Sequence, residues 1–173
     1  MRIWLTIIAF LLATAPNGMS QELQIDNFRS GLDCRYADPN AQADIGWICF
    51  ETETILMTGQ GRCVFNGETR ACNWYGYEFD YTNAQPDEEI SCIVTSSEVG
   101  TIGNPDEVEA QNTKTYEYSY KLEGKDGHLY NPQYSIFSTA PAENHSIVNH
   151  TICSLNEREL FQFRFEKLYP TEN

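Results

Sequence analysis

Six cysteines are the residues of this chain whose chemistry follows most directly from their number and spacing. An even number suits complete pairing in an oxidising compartment. No two of them have the C-x-x-C spacing of a zinc ribbon or a thioredoxin-like redox site. We therefore predict that all of them pair in structural disulfides that reinforce the fold. The cysteines are Cys34, Cys49, Cys63, Cys72, Cys92 and Cys153.

The segment between Cys63 and Cys72 predicts that these two cysteines pair with each other. Its Asn66-Gly67 dipeptide is a strong turn signal. A four-residue loop over 66–69 would set Cys63 opposite Cys72, whereas a two-residue loop would set it opposite Arg70, one diagonal step away. Both registers keep the sulfurs on one face of the hairpin. For the other cysteines we favour the pairs Cys34–Cys49 and Cys92–Cys153.

The ionisable residues form no local catalytic or metal-binding signature. The sequence contains no G-x-S-x-G nucleophile motif, no H-E-x-x-H motif and no calcium-loop motif. Its acidic runs at 87–89 and 106–107 fit solvated turns better than oxygen ligands for a cation. We predict no metal site and no cofactor. The three histidines, His128, His145 and His150, are predicted to be surface residues. The enzymatic alternative is a small secreted hydrolase whose site is assembled from scattered residues.

Aromatic side chains at 74–81 are the most suggestive ligand contacts. Tyr75, Tyr77, Phe79 and Tyr81 recur at a period of two. That pattern is typical of the core side of a strand, which we favour, or of a surface that stacks on sugars or anchors a protein. Trp74 has the opposite parity and is predicted to face outward. The candidate ligand-binding residues are therefore Trp74, Tyr75, Tyr77 and Tyr81, with Trp74 first.

Residues 1–20 have the pattern of a cleavable secretory signal peptide. Arg2 precedes an apolar run over 5–12, and small residues at Gly18 and Ser20 suit cleavage before Gln21. The run is too short to span a bilayer. We predict that residues 21–173 fold as a single domain in a periplasm or outside the cell, with no membrane insertion after cleavage.

Charge and sequons add two further expectations. The formal net charge of −14 disfavours nucleic acid and anionic lipid surfaces as partners. Asn144 and Asn149 each begin an N-glycosylation sequon, which matters only if the source is a eukaryote that uses the secretory pathway.

Alternation of apolar and polar residues predicts β-strands nearly throughout the chain. Helix is predicted only as one turn at most at 104–110, inside a loop over 98–112. The Gly124-Lys125-Asp126-Gly127 segment predicts a turn between two strands. The predicted strand segments are 45–50, 54–58, 75–81, 90–95, 116–122, 133–138, 147–153 and 161–166.

Short strands punctuated by turns predict an all-β fold: an antiparallel β-sandwich with Greek-key connections, reinforced by disulfides. A small closed β-barrel is the alternative. The separations of Cys34, Trp47 and Cys92 resemble the Cys…Trp…Cys arrangement of immunoglobulin domains, which implies an immunoglobulin-like sandwich. That family places a tyrosine two residues before the second cysteine, where this chain has Ile90, so the resemblance concerns architecture alone.

Together, these patterns favour a noncatalytic binding or interaction domain that recognises a protein or a glycan partner. The patterns in question are the signs of export, the alternation typical of strands, the surplus of tyrosine and the lack of a catalytic signature. The alternatives are a small secreted hydrolase and a secreted inhibitor that presents the disulfide-stapled hairpin at 66–69. The sequence leaves the oligomeric state open.

Overall fold

The computed structural model describes residues 22–34, 47–103, 106–137 and 145–170. The predicted leader at 1–20 lies outside these residues. The described residues form ten β-strands, and no helix among them is long and apolar enough to cross a membrane. The strands are β1 Gln24–Asp33, β2 Ile48–Glu51, β3 Thr54–Leu56, β4 Gly61–Phe65, β5 Glu68–Thr82, β6 Glu89–Gly103, β7 Val108–Lys121, β8 Gly127–Ile136, β9 His145–Leu155 and β10 Arg158–Tyr169.

The strands form two sheets that pack face to face. In sheet 1 the strand order is β2-β1-β5-β4, and β8 pairs with β5 along the edge opposite to β1. In sheet 2 the strand order is β3-β10-β9-β6-β7. After β7 the chain crosses to sheet 1 as β8 and returns as β9 beside β6, which is the long connection of a Greek key. The predicted all-β sandwich is confirmed. The closed-barrel alternative is wrong, because the described strands pair as two separate sheets.

One described strand pair departs from the predicted antiparallel pairing. The short strand β3 runs parallel to β10, with Glu166 opposite Thr54 and Leu168 opposite Leu56. Both β2 and β4 belong to sheet 1, so the chain visits sheet 2 for only three residues between them. The Met57 amide donates to the Leu168 carbonyl at 2.8 Å as the chain leaves. The chain itself thus connects the margins of the two sheets, and backbone hydrogen bonds to β10 hold β3 in sheet 2.

The core is a layer of aromatic rings between β5 of sheet 1 and β10 of sheet 2. The predicted alternation over 75–81 and 161–166 is confirmed, since the odd-numbered residues of both strands point inward. Tyr77 is fully buried, and its ring centroid lies 4.9 Å from that of Phe163. The ring centroids of Phe79 and Phe161 lie 5.2 Å apart in the same layer. Phe28 of β1 packs at the margin of this layer, with its ring centroid 4.9 Å from that of Phe161.

Tyrosine hydroxyls are accommodated inside the sandwich because they bond to one another and to nearby polar groups. The Tyr77 hydroxyl lies 3.2 Å from that of Tyr118 and 3.3 Å from that of Tyr120, both of which project inward from β7. The Tyr81 hydroxyl donates to the Glu123 carbonyl at 2.5 Å. Burial raises the pKa of Tyr118 to about 12 and that of Tyr77 further still. The hydroxyls are therefore neutral donors and acceptors at physiological pH.

The predicted loop over 98–112 is wrong. In the described part of this segment, β6 continues to Gly103 and β7 begins at Val108, so the two strands form one long hairpin. Gly100 pairs with Thr113 and Ile102 with Ala110, with register shifts between them. Cross-strand hydrogen bonds thus extend the sheet through a stretch whose acidic and glycine residues have low strand propensity. The turn predicted at 124–127 is confirmed as the connection from β7 to β8.

The six cysteines form three disulfides, Cys34–Cys49, Cys63–Cys72 and Cys92–Cys153, which are the pairs that the sequence analysis favours. The hairpin between β4 and β5 uses the two-residue turn, with φ of 50° at Asn66 and 73° at Gly67. Cys63 therefore lies opposite Arg70, and its bridge to Cys72 is diagonal. Asn-Gly favours this turn because both of its positions need a positive φ.

The disulfides differ from those of immunoglobulin domains, whose conserved bridge joins the two sheets. Here Cys92 and Cys153 lie directly opposite each other on β6 and β9 of sheet 2. Cys34 follows β1 and pairs with Cys49 of β2, both on the side of sheet 1. The resemblance of Cys34, Trp47 and Cys92 to the immunoglobulin arrangement therefore holds for the architecture, to which the sequence analysis limits it, and Cys34 and Cys92 pair with other cysteines. Aromatic packing between β5 and β10 holds the two sheets together.

We expect the bridge across sheet 2 to contribute more stability than the hairpin bridge. Removing it with Cys92→Ala and Cys153→Ala should lower the free energy of unfolding by about 4 kcal/mol, because it closes 61 residues of chain. Removing Cys63–Cys72, which closes 9 residues, should lower it by about 2.5 kcal/mol. Guanidinium titration of the nonreduced variants measures both values. A larger loss from the hairpin bridge would contradict the chain-entropy argument.

The buried tyrosines should make the fold sensitive to alkali. Free tyrosine ionises near pH 10, whereas burial raises the pKa of Tyr118 to about 12 in the folded chain. Between these values the unfolded chain releases protons that the folded chain retains, so the free energy of unfolding falls as pH rises. Urea titrations at about pH 9 and about pH 11 should show this loss. Ionisation of all tyrosines in one step near pH 10, with the fold intact, would contradict it.

Candidate binding site

A cleft of about 680 Å³ opens between the two sheets, a volume typical of small-ligand sites. One wall comes from β8 of sheet 1, and the other comes from β6, β7, β9 and β10 of sheet 2. β8 and β7 are the last strands of their sheets on this side in the described topology. The cleft therefore lies where the two sheet edges face each other, beyond the aromatic core. We call it the intersheet cleft.

Lys167 supplies a buried cation to the intersheet cleft. It points inward from β10, two residues beyond the core residue Phe165, and is only 9% exposed. Its ammonium lies 5.7 Å from the ring centroid of Tyr75, a cation–π distance. Within the described ranges no carboxylate pairs with this ammonium. The desolvation of its charge is thus offset only by the aromatic ring.

Asn149 supplies a buried acceptor to the same cleft. It projects from the middle of β9, between Ser96 of β6 and Phe165 of β10. Its side-chain carbonyl oxygen is buried and has no hydrogen-bond partner among the residues that the structure describes. An unsatisfied buried acceptor costs free energy that a ligand donor would recover. A glycan attached at the Asn149 sequon would have to occupy this cleft; Asn144 lies outside the described residues.

The charge that lines the intersheet cleft is opposite in sign to that of the whole chain. Three of the lining residues, Arg70, Lys114 and Lys167, are cationic, and one, Glu98, is acidic. The chain as a whole carries −14. Glu98 also pairs with the ring of His145 at 3.0 Å. A cleft of one sign with low-dielectric walls concentrates counter-ions of the other sign, which here means anions.

Tyrosine rings and hydroxyls form the rest of the polar lining. Burial raises the pKa of Tyr116 and of Tyr169 to about 12, so both hydroxyls are neutral near pH 7. The Tyr116 hydroxyl donates to a Glu109 carboxylate oxygen at 2.7 Å, and its ring stacks on that of Tyr118. The hydroxyl of Tyr75, at the cleft floor, lies 2.7 Å from that of Ser135. The cleft thus offers both ring faces and hydrogen-bonding groups to a ligand.

The four predicted ligand-binding residues do not come together in one surface. Tyr75, Tyr77 and Tyr81 are buried on the inner face of sheet 1, and of these three only Tyr75 lines the cleft. Trp74 lies on the opposite face, is partly exposed, and has its ring 5.1 Å from that of Tyr134. Tyr134 also lines the cleft. The predicted outward direction of Trp74 therefore places it beside the rim of the cleft.

Lys167 and Asn149 are site residues that the sequence motifs do not predict. A signal for Lys167 exists, because the inward series Phe161, Phe163 and Phe165 continues to it at the same period. A charged residue on a core face is rare unless it is paired. Asn149 shares the parity of the buried Thr151 and Cys153 in the same way. Their shared position in one cleft depends on strand order, which periodicity does not give.

A second polar cluster lies on the outer face of sheet 1. The buried carboxylate of Glu78 accepts from Arg29 at 3.1 Å and from the Trp47 amide at 2.6 Å. His128 lies with one ring nitrogen 3.3 Å from Glu78 and the other 2.8 Å from Asp80. A Ser-His-Asp site needs a nucleophile at one of these nitrogens. Both face carboxylates here, so the cluster acts to hold the start of β2 on sheet 1.

The other two histidines are also hydrogen-bonded to groups that are not nucleophiles. His145 lies 3.0 Å from Glu98, and His150 lies 3.0 Å from the side-chain oxygen of Gln162. Over the described residues, no group of three or more histidine, cysteine, aspartate or glutamate side chains is arranged to hold a metal ion.

Comparison with known proteins supports the fold. No protein-family model and no curated protein sequence matches this chain. Its structure is similar to that of an immunoglobulin-like protein from Pseudomonas aeruginosa, with a TM-score of 0.51 and 14% sequence identity, over 87% of this chain and 99% of that one. The N-terminal domain of PorA is similar at a TM-score of 0.33 and 13% sequence identity, over 88% of this chain and 100% of that one. The chain therefore has an immunoglobulin-like β-sandwich fold.

Proposed function

We propose that this chain is an exported, noncatalytic binding domain that takes a saccharide ligand in the intersheet cleft. The observation that carries the proposal is the cleft itself, which tyrosine rings line together with the Lys167 ammonium and the Asn149 oxygen. Among the described residues the ammonium has no carboxylate partner and the oxygen has no hydrogen-bond partner. The leader pattern at 1–20 and the full pairing of the cysteines support export.

The lining of the cleft favours a saccharide over a purely apolar ligand. A sugar ring presents apolar C–H faces and a rim of hydroxyl groups. The rings of Tyr116 and Tyr134 offer faces for the C–H surface of the sugar, and the amides of Asn131 and Gln133 offer hydrogen-bond partners for its hydroxyl groups. Beside the rim, Trp74 adds an aromatic face for a longer chain of sugars.

A protein partner is the second candidate, and one observation favours it. β7 pairs only with β6 in the described topology, so the other edge of this 14-residue strand presents its backbone groups. An extended peptide can add to such an edge by backbone hydrogen bonds, with side chains reaching adjacent pockets. The edge lies along the intersheet cleft, so a strand bound there would also cover it.

A hydrolase and an inhibitor draw less support from the described residues. A hydrolase needs an activated nucleophile, and each histidine ring is hydrogen-bonded to a carboxylate or an amide rather than to a hydroxyl. An inhibitor needs a projecting rigid loop, whereas the tip of the stapled hairpin is the tight turn of Asn66 and Gly67.

A glycan array probed with the purified chain tests this proposal. We expect Tyr116→Ala and Trp74→Ala to weaken binding of the recognised glycan, by about 1 kcal/mol for a lost aromatic contact. Phe50→Ala is the matched control, because Phe50 is an exposed aromatic residue that does not line the cleft. Circular dichroism establishes that each variant is folded.

Two results would contradict the proposal. One is retention of the same glycans at the same affinity by both aromatic variants. The other is turnover of an arrayed glycan or ester that is lost on substitution of a single Asp, Glu or His with the fold intact. A pull-down with the same variants tests the second candidate, which predicts a retained protein and no retained glycan.

A further inference from the structure

We infer that the saccharide bound by this chain carries a carboxylate, and that Lys167 binds it. The inference rests on the proposed function and names the class of its ligand. Lys167 is buried, lines the intersheet cleft and has only the ring of Tyr75 as a partner in the described structure. A buried ammonium is costly unless an anion and hydrogen bonds compensate its lost hydration. A ligand carboxylate would supply both.

The surroundings of Lys167 favour an anion over a neutral group. The Lys114 ammonium, at the same cleft, donates to the Ser97 carbonyl at 2.7 Å and has no carboxylate partner among the described residues. Arg70 is paired with Glu68, and Glu98 is paired with His145. Two cations without acidic partners thus line a cleft in a chain of net charge −14. This reversal of sign directs anionic ligands to the cleft and repels them elsewhere.

Asn149 places a second requirement on the ligand. Phe165 of β10 pairs with Asn149 of β9, so Lys167 occupies the diagonal position two residues further along. The backbone positions of diagonal neighbours of this kind are about 7–8 Å apart, and both side chains line the same cleft. A sugar residue bound between them can direct a carboxylate at the Lys167 ammonium and a hydroxyl donor at the Asn149 oxygen. Uronic and sialic acids carry both groups on a single ring.

An acidic peptide fits these observations less well. It would bring several carboxylates to a cleft with one buried cation, and the acidic surface of the chain would repel the remainder. The neutral tyrosine hydroxyls and the amides of Asn131 and Gln133 match a ligand that is mostly hydroxyl groups. A saccharide with a single carboxylate per ring satisfies both conditions.

An array of uronate- and sialate-containing glycans, printed beside the same glycans as carboxyl methyl esters, tests this inference. The ester keeps the shape of each sugar and removes its charge. We expect the chain to bind at least one acidic glycan roughly tenfold more tightly than its ester, as for a charge-assisted hydrogen bond. Lys167→Met should bind the two forms equally, and Lys167→Arg should keep the preference.

Two further variants separate a binding role from a structural one. Asn149→Asp retains the size of the side chain and adds a negative charge, so it should weaken binding of the acidic glycan and spare the ester. Lys125→Met is the matched control, since Lys125 is an exposed lysine in the turn between β7 and β8. It should behave as the unmodified chain. The ester comparison on the unmodified chain decides the question even if Lys167→Met does not fold.

The outcomes are distinguishable. Equal binding of acid and ester by the unmodified chain would overturn the inference and leave the proposed function standing. The role of Lys167 would also be overturned if Lys125→Met lost the preference for the acidic glycan over its ester. The same holds if folded Lys167→Met kept that preference. Binding of acidic peptides in preference to every arrayed glycan, or of no glycan in either form, would overturn the proposed function and the inference with it.

Discussion

The packing of aromatic rings between β5 and β10 is the interaction on which the rest of this structure depends. β5 pairs with β1, β4 and β8, so it organises the whole of sheet 1. Its inward rings meet those of β10, as Tyr77 meets Phe163 and Tyr75 meets Phe165, each pair at 4.9 Å. Burial of such large side chains dominates the stability of a core. The register of both strands is thereby determined, since a slip of one residue would turn these rings to solvent.

The intersheet cleft follows from where this aromatic layer ends. Along β10 the inward series passes from Phe165 to Lys167 and Tyr169, and on β8 the residues that face it are polar, among them Gln133 and Ser135. Side chains of this kind are not packed together in the way that rings are, because each needs a hydrogen-bond partner or water. The sheets remain paired at the core while a polar space opens beside it. The inward-facing residues of β10 therefore line both spaces, with phenylalanines in the core and with Lys167 and Tyr169 in the intersheet cleft.

The extent to which the sequence predicts this structure depends on the range of each interaction. Strand periodicity and the Asn66-Gly67 turn are local, and both predict what the structure has. Local propensity does not predict the hairpin over Gly100 and Thr113, because cross-strand pairing overrides weak propensity there. It does not predict the cleft either, because Lys167 and Asn149 become neighbours only through the pairing of β10 with β9. The outward direction of Trp74 is predictable, since its parity alone decides which face of the sheet it occupies.

The placement of the disulfides has a consequence for the cleft. Each of the three bridges joins segments on the side of a single sheet, Cys92–Cys153 in sheet 2 and the other two in sheet 1. The bridges therefore constrain each sheet internally and leave the separation of the sheets to noncovalent packing and to the chain that leads from sheet 1 to β3, which pairs with β10 in sheet 2. At the core the interlocked rings resist separation of the two sheets, because even a small displacement would cost much of their van der Waals energy. At the intersheet cleft about 680 Å³ is left unfilled between the sheets, so few van der Waals contacts join β7 and β8 there.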